Sequence, residues 1–598
     1  MIVTYIFTIL ITGFWIARMV IDKKIIFRRT ILDIPLFLFF GSQIISTLLS
    51  IDPRTSWLGY YSRFNGGLAS TISYLALYWA FVSNLDKKDT LLIVRNSLIT
   101  AAIVAIYGIL EHFGRSPSCF ILTGYFNVDC WVQDVKTRVF ATLGQPNWLA
   151  AYLVTLLPLA ISNLQFTIYK NKKFWLLASI VIFVAILFTK SRSGLLGIAV
   201  AFAIFGLANL RSIKSFLVLI IGMILAVAIF GTPWTPSIPT LLSNSQKLTG
   251  ASAPLPEEGG TESGDIRKIV WRGAIDIFKA YPVFGTGPET FAYAYYQFRP
   301  VEHNLVSEWD FLYNKAHNEY LNYLANSGGV GLATYSILIT FAVYQIYKNK
   351  RFELLAGYAS ILVTNFFGFS VVVIQILFFL LPAIAVTYSV AEKNEDNKNL
   401  LDNLQKIKLL ALSLLTLLLL YSVYSYWLAD YEYAKAKAEL EQGLVTEAIK
   451  HFGEASKISP NEAIYKSKLG LTYSNIAKYF ANNKDPQKAT ASAEVSAVYI
   501  EEAKALSPRN FLVSQERATS YSQLVAADPD YIINTIQTLE ELIPYAPTYP
   551  KIYYRLGVSY LLINEIELAT TNIKKAIELK PDYGEALSAL EKINKISP

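Results

Sequence analysis

The sequence predicts an all-α protein, in which a polytopic helical membrane domain of about twelve spans precedes an α-solenoid of tetratricopeptide repeats. Of the 598 residues, 53% are hydrophobic and only 16% are charged, against about 25% charged residues in soluble domains. The mean hydropathy is +0.37. The C-terminal part changes to a helical repeat. This composition excludes a disordered chain and a disulfide-built scaffold, and the net charge of +8 is too dispersed for a nucleic-acid surface.

A helix needs about 20 apolar residues to cross a bilayer. Apolar runs of this length divide residues 1–428 into a multispanning domain, and length alone places the division of the 352–391 stretch near Ser370. The predicted spans are 2–20, 31–50, 67–85, 91–111, 147–168, 174–190, 193–210, 215–232, 328–347, 352–370, 371–391 and 407–428.

Lys and Arg cluster in every second short loop, which predicts that these loops are cytoplasmic. They include Lys23, Lys24, Arg28, Arg29, Lys87, Lys88, Lys170, Lys172, Lys173, Arg211, Lys214, Lys348, Lys350 and Arg351. The N-terminus, the loops 51–66, 112–146 and 232–327 and the segment 429–598 are then external. A missing N-terminal span is the alternative to an external N-terminus.

Cys119 and Cys130 both fall in the external loop 112–146. A disulfide between them would fit an oxidising compartment, and two unpaired thiols are the alternative. Two cysteines without a nearby histidine make a poor metal site.

Residues 429–598 carry a tetratricopeptide pattern, which is clearest in the last repeat. There the chain reads Tyr553, Leu556, Gly557, Tyr560, Ala569, Ile573, Ala576 and Pro581. Two earlier copies of the second-helix signature predict insertions, the larger one around 482–490. Such hairpins bury their apolar faces only by stacking. The array is interpreted either as a peptide-binding groove or as a spacer or dimerisation module.

The loop 232–327 is long and rich in Tyr and Trp. An apolar stripe of Val270, Trp271, Ala274, Ile277 and Phe278 predicts an amphipathic helix on the membrane surface. The chain has four histidines, and His317 lies just before the ninth span. Arg192 lies in a short external turn, where a guanidinium needs either an anionic partner or an interfacial position.

Several short motifs follow one another along residues 1–390. They are Asp52-Pro53 with Ser56, Gly59, Arg63 and Gly66-Gly67-Leu68; Arg138 to Ala150 (RVFATLGQPNWLA); Ser191-Arg192-Ser193-Gly194; Arg267 before Trp271; Pro282 to Pro288 (PVFGTGP); and His317 to Leu321 (HNEYL). In this order they resemble the bacterial O-antigen ligase and lipid-linked glycan polymerase family, some of whose members have a C-terminal tetratricopeptide tail. Two departures from the family pattern are expected: Gln145 stands where the family often has Asn, and an N-terminal span of the family is expected to be missing from this sequence.

The resemblance implies a GT-C-like glycosyltransferase of the bacterial inner membrane, which moves a glycan from undecaprenyl diphosphate to an external lipid, protein or cell-wall acceptor. It implies no metal and no other cofactor. Arg192 and Arg267 would stabilise the leaving diphosphate, and His317 would activate the acceptor; a helix-end cap or a structural contact is the alternative role of His317. The implied substrate-binding residues are Arg63, Arg138, Asn147, Arg272 and Asn318, although the helical rotation turns Arg272 away from Arg267.

Three other functions stay open. Within the same family, the protein could be an O-antigen type polymerase or a protein O-oligosaccharyltransferase. In a different class, it could be a non-catalytic membrane anchor for the repeat array, which could bind a protein partner in either case. A transporter is disfavoured, because few charged residues lie at mid-membrane depth and the two halves show no repeat.

Overall fold

The computed structural model of the protein describes residues 1–61, 63–165, 172–208, 213–235, 261, 263–391 and 401–596. Every regular element among these residues is a helix, which confirms the predicted fold class. The helices up to the long loop are α1 (Ile2–Ile21), α2 (Asp33–Leu48), α3 (Pro53–Leu58), α4 (Leu68–Asn84), α5 (Lys87–His112), α6 (Pro117–Thr123), α7 (Pro146–Gln165), α8 (Lys172–Phe188), α9 (Arg192–Ala208) and α10 (Ile213–Phe230).

The long loop and the next three spans contain α11 (Ser263–Ala280), α12 (Phe291–Ala294), α13 (Glu319–Lys348), α14 (Phe352–Phe366) and α15 (Val372–Thr387). The predicted division near Ser370 is confirmed, because α14 ends at Phe366 and α15 begins at Val372. The repeat region contains α16 (Asn403–Glu441), α17 (Val445–Ile458), α18 (Ala463–Asn482), α19 (Pro486–Leu506), α20 (Phe511–Leu524), α21 (Tyr531–Leu542), α22 (Pro550–Leu562), α23 (Ile566–Leu579) and α24 (Gly584–Ile596).

Each of the twelve predicted spans has a corresponding helix in the described chain. By length and composition, four described helices can cross a bilayer alone, namely α1, α5, α13 and α16. Shorter apolar helices pack among them, including α2, α9, α14 and α15. The backbone of such helices satisfies its own hydrogen bonds, which a bilayer requires.

The loops predicted as cytoplasmic meet at one end of the helices. There Lys23 forms an ion pair with Asp402 at 2.7 Å, and the backbone N–H of Lys87 donates to Val390 at 3.3 Å. At the other end, the hydroxyl of Tyr5 donates to the carbonyl of Phe64 at 3.2 Å. The two predicted sets of loops therefore lie at opposite ends of the bundle.

Helix α13 is broken at Gly328, whose φ of 66° and ψ of −168° are not helical. The glycine turn at Gly285 packs into this break. The N–H of Gly287 donates to the carbonyl of Asn326 at 2.8 Å, and the N–H of Gly329 donates to Pro282 at 2.8 Å. These contacts fix the end of the long loop against α13.

We expect Gly285→Ala to destabilise the protein by about 1–3 kcal/mol. Its φ is +68°, and a Cβ would lie 2.3 Å from the backbone carbonyl of Asn326, so neither the conformation nor the space suits alanine. The measurement is the thermal unfolding of the detergent-solubilised protein. Gly264→Ala, where a Cβ would meet nothing within 4 Å, is the control. Equal unfolding temperatures for the two variants would contradict the role of the turn.

The repeat array is built from antiparallel helix pairs, which begin with the end of α16 and α17. Small residues lie at the helix contacts; Ala448, Ala455, Ala503 and Ala576 are fully buried. The insertion predicted around 482–490 is instead a short turn at 483–485, since the extra residues lengthen α18 and α19. The pair α20–α21 lies between α19, which carries the second copy of the signature, and the last repeat, which is formed by α22 and α23.

The array packs against the long loop. Tyr296 stacks on Phe511 with ring centroids 3.8 Å apart. Trp309 lies under two ammonium groups, with Lys551 at 5.4 Å and Lys580 at 4.7 Å from its ring centroid. A carboxylate next to this tryptophan, that of Asp310, pairs with Lys551. The side of the array that faces the helix bundle is thus bound to the long loop of the same chain.

We expect Trp309→Ala to weaken this docking by about 2 kcal/mol, since two cation–π contacts and their burial are lost together. The expected readout is faster hydrogen exchange in residues 550–583, with unchanged exchange in α1–α10. Trp234→Ala is the control because this tryptophan is 55% exposed. Unchanged exchange in 550–583 would show that Trp309 does not hold the array.

Candidate active site

A cavity of about 20 Å³ with both polar and apolar lining residues lies where α7, the start of α9, α11, the start of α13 and the loop between α14 and α15 meet. A cavity of this volume holds one water molecule. The lining residues come from five separate stretches of sequence. They are Gln145, Asn147, Trp148, Ala151, Ser193, Arg267, His317, Thr364, Asn365, Phe367, Gly368, Phe369 and Ile374.

His317 stands directly before α13 with a backbone φ of 53°. Its Nδ1 lies 3.2 Å from the carbonyl oxygen of Lys315. Because a carbonyl only accepts, Nδ1 carries the hydrogen and Nε2 keeps a lone pair in the neutral ring. Tyr313 and Phe369 hold the ring edge-on, with centroids at 5.5 and 5.4 Å. The imidazole is therefore fixed in the tautomer in which Nε2 can accept a proton.

Burial, together with the positive charges of Arg267 and Arg63, lowers the pKa of His317 to about 4, and the backbone hydrogen bond to Lys315 opposes this shift. An ordinary histidine titrates near pH 6.5. The imidazole is thus neutral at physiological pH.

Arg267 is placed by the buried face of α11. Ile266, Val270 and Ile277 pack with Phe291 and Tyr295 of the loop, so the prediction that the apolar stripe lies on the membrane surface is wrong. Arg267 itself is half-buried, and its Nη1 donates to the carbonyl of Phe367 at 3.1 Å.

Two further guanidinium groups continue from Arg267 towards α9. Burial and the nearby charge of Arg138 lower the pKa of Arg267, and burial together with the charge of Arg192 lowers the pKa of Arg138. Arg267 and Arg138 nevertheless stay cationic, since guanidinium does not deprotonate in proteins. Arg192 does not line the cavity; Ser193 next to it does. We call these three arginines the arginine row, because the charge of Arg192 acts on Arg138, that of Arg138 on Arg267 and that of Arg267 on His317.

Arg63 approaches the cavity from the other side. Its Cζ lies 4.8 Å from the ring centroid of Phe369 and 5.6 Å from that of Trp148. On the α7 side, the Asn147 Oδ1 accepts from the hydroxyl of Ser191 at 2.8 Å. Both sequence-predicted residues therefore contact the cavity or its aromatic wall.

Two predicted substrate-binding residues have other partners. Asn318 caps α13, where its Oδ1 accepts from the N–H of Leu321 at 3.0 Å. Arg272 is exposed and forms an ion pair with Glu302 at 2.8 Å, outside the cavity lining. In the loop 112–146, Cys119 and Cys130 form a disulfide with Cα atoms 5.5 Å apart.

Sequence reasoning missed Phe369 and Asn365. Both lie in the apolar stretch 352–391, where an aromatic residue is indistinguishable from a lipid-facing one. The break at Gly368 between two spans was the one available signal. Phe369 matters because its ring contacts both His317 and Arg63.

The cavity combines a neutral imidazole with the guanidinium of Arg267, and no carboxylate is among the described residues that line it. A fixed cation in a buried cavity binds an anion and stabilises charge that develops on its oxygens. The free Nε2 can take a proton from a hydroxyl group at the same place.

No curated protein matches the chain. Among solved structures, the chain is similar to MamA 41-end from Desulfovibrio magneticus RS-1, with 19% identity over 28% of this chain and 83% of that chain and a TM-score of 0.23. Residues 177–336, which contain Arg192, Arg267 and His317, match the sequence model of the O-Antigen ligase family.

Proposed function

We propose that the protein transfers a glycan from an undecaprenyl diphosphate carrier to an acceptor hydroxyl, as an O-antigen ligase does. The observation that carries the proposal is that the guanidinium of Arg267 and the imidazole of His317 line one cavity, within a segment similar to O-antigen ligases. A lipid diphosphate is the anionic group that such a cavity would bind at a membrane surface.

In the proposed reaction, the acceptor oxygen attacks the anomeric carbon of the donor sugar. The bond from that carbon to the diphosphate oxygen breaks, and its electron pair stays on the diphosphate. Arg267, with Arg138 and Arg192 behind it, stabilises the negative charge that develops there. The proton of the acceptor hydroxyl moves to Nε2 of His317. Guanidinium groups thus supply the charge stabilisation for the leaving group.

We infer that the site faces the outside of the cytoplasmic membrane. The basic loops meet at the opposite end of the bundle, and basic loops are retained in the cytoplasm. The Cys119–Cys130 disulfide fits the same side, because disulfides persist in oxidising compartments. An undecaprenyl diphosphate glycan is then presented on the side where the cavity lies.

The low pKa of His317 sets the pH profile of this reaction. A general base works only when deprotonated, so we expect kcat/KM to stay level from pH 8 to pH 5 and to fall as the pH drops through about 4. An unfolding scan over the same pH range separates titration from denaturation. A fall centred near pH 6.5 would contradict the burial of the imidazole in the free enzyme.

The direct test is reconstitution of the purified protein in nanodiscs with an undecaprenyl diphosphate glycan and a cell-envelope extract. Mass analysis of the product identifies the acceptor. A glycan on a lipid, a protein or wall material supports a ligase, and a lengthened carrier-linked glycan identifies a polymerase. Absence of donor binding as well as of any product would leave a non-catalytic anchor for the array.

A further inference from the structure

A second polar cavity of about 20 Å³ lies beside the first. The loop between α14 and α15 contributes to both. Phe369 lines the first cavity, and its ring centroid is 5.9 Å from the ammonium of Lys315, which lines the second. The residues around the second cavity are Gln43, Asn65, Gly66, Pro288, Glu289, Lys315, Glu319, Asn322, Tyr323, Asn326, Ser327, Ser370 and Gln375.

Three oxygen atoms of residues lining the second cavity have no hydrogen-bond partner. They are Oε2 of Glu289, Oε2 of Glu319 and Oδ1 of Asn326, and none of these residues is more than 4% exposed. The other oxygen of Glu289 pairs with Lys315, and that of Glu319 accepts from Gln375 at 3.1 Å. Buried acceptors without donors are costly, so the cavity is built for an occupant that donates hydrogen bonds.

The backbone around Glu289 is adapted to place its carboxylate there. Glu289 has a φ of 63°, which is unfavourable for a residue with a side chain. Gly66 opposite it has a φ of +88°, and a Cβ at that position would lie 2.1 Å from Oε1 of Glu289. One strained residue and one glycine without a Cβ, far apart in sequence, thus hold one carboxylate against the cavity.

We propose that the second cavity is the acceptor subsite of the transfer reaction and takes a hydroxyl-bearing sugar group. This inference rests on the proposed function. Carboxylate and amide oxygens accept hydrogen bonds from hydroxyl groups. Lys315 is paired with Glu289, and most of the other polar residues that line the cavity are neutral amides and hydroxyls, which suit a polyol. The cluster binds the acceptor on one side of Phe369, while the arginine row binds the donor on the other.

Each cavity has the volume of one water molecule, which is smaller than a sugar ring, so the cavity walls must move for a sugar group to enter. Displacing Phe369 joins the two cavities, because its ring contacts His317 at 5.4 Å and Lys315 at 5.9 Å. The joined space brings an acceptor hydroxyl to Nε2 of His317 and to the donor carbon. In the closed state the two subsites stay apart.

The test compares transfer with donor hydrolysis, in which water replaces the acceptor. Full-length protein in nanodiscs receives the undecaprenyl diphosphate glycan, with or without cell-envelope extract, and both products are counted. We expect Glu289→Gln to lower the ratio of transfer to hydrolysis about tenfold to a hundredfold, as for a lost hydrogen bond to a charged group, while the hydrolysis rate is kept. Glu319→Gln, which leaves the Lys315 pair intact, should lower the same ratio.

Glu302→Gln is the matched control, because Glu302 is also ion-paired and lies on the same loop but is about half exposed. An unchanged ratio in both Glu289→Gln and Glu319→Gln, or equal loss of transfer and hydrolysis in folded variants, would overturn the subsite and leave the cavity as the place of a structural water. Retained transfer and hydrolysis in Arg267→Ala and His317→Ala would instead overturn the proposed function. The two failures are therefore distinguishable.

Discussion

Replacing His317 by alanine is expected to lower the rate of glycan transfer by about 10²–10⁴-fold, the usual contribution of a general base. The reason is that Nε2 is the free nitrogen of the ring, since Nδ1 donates to Lys315. Binding of the labelled lipid-linked donor should persist, because the arginine row remains. The measurement is single-turnover transfer at saturating donor, together with donor binding.

His451→Ala provides the control for this variant. That histidine lies in the repeat array, where its Nδ1 is paired with Glu432 at 2.5 Å. We expect transfer by the control to remain within about twofold of the wild type, since His451 lies in the repeat array and does not line the cavity. Near-normal transfer by His317→Ala would restrict this residue to shaping the start of α13.

Replacing Arg267 by alanine is expected to lower kcat by about 10²–10³-fold and to weaken donor binding, as for other groups that stabilise a developing anion. Arg267→Lys should recover only part of the loss, because an ammonium keeps the charge but not the planar fork. Initial rates at varied donor concentration separate the two effects.

Arg272→Ala tests whether Arg272 binds substrate, as the family resemblance implies, or only forms the ion pair that the structure shows. The resemblance gives Arg272 a substrate-binding role, but the side chain is exposed and paired with Glu302. We therefore expect nearly unchanged transfer in this variant, on the same helix that carries Arg267. A large loss in Arg272→Ala with little loss in Arg267→Ala would reverse the assignment of the two residues.

The spans were predictable because burial in a bilayer demands a long apolar run, and such a run is visible without knowledge of its neighbours. The position of α11 could not be predicted in this way. An amphipathic stripe shows that one face of a helix is buried, but it does not show whether protein or lipid covers that face. Membrane lipid was predicted, and Phe291 with Tyr295 was found. The repeat array shows the same limit, because period counting found extra residues but not that they lengthen α18 and α19.

Some residues of the candidate site could be predicted from the sequence and others could not. Arg267 and His317 were predictable because each lies in a recognisable short motif. Glu289 was not, since its role arises from contacts with Gly66 and Lys315, which are distant in sequence or carry no pattern of their own. Long-range packing, rather than residue type, selects which carboxylate lines a cavity.

The contact of Tyr296 and Trp309 with the repeat array has a consequence for competition. A tethered segment acts at an effective concentration of about millimolar. A soluble peptide that binds the same surface near Phe511 and Lys551 must therefore compete with this tethered segment, and it displaces the segment only if its affinity or concentration is high enough. We therefore expect weakly binding peptides to bind on the opposite, solvent-facing side of the array.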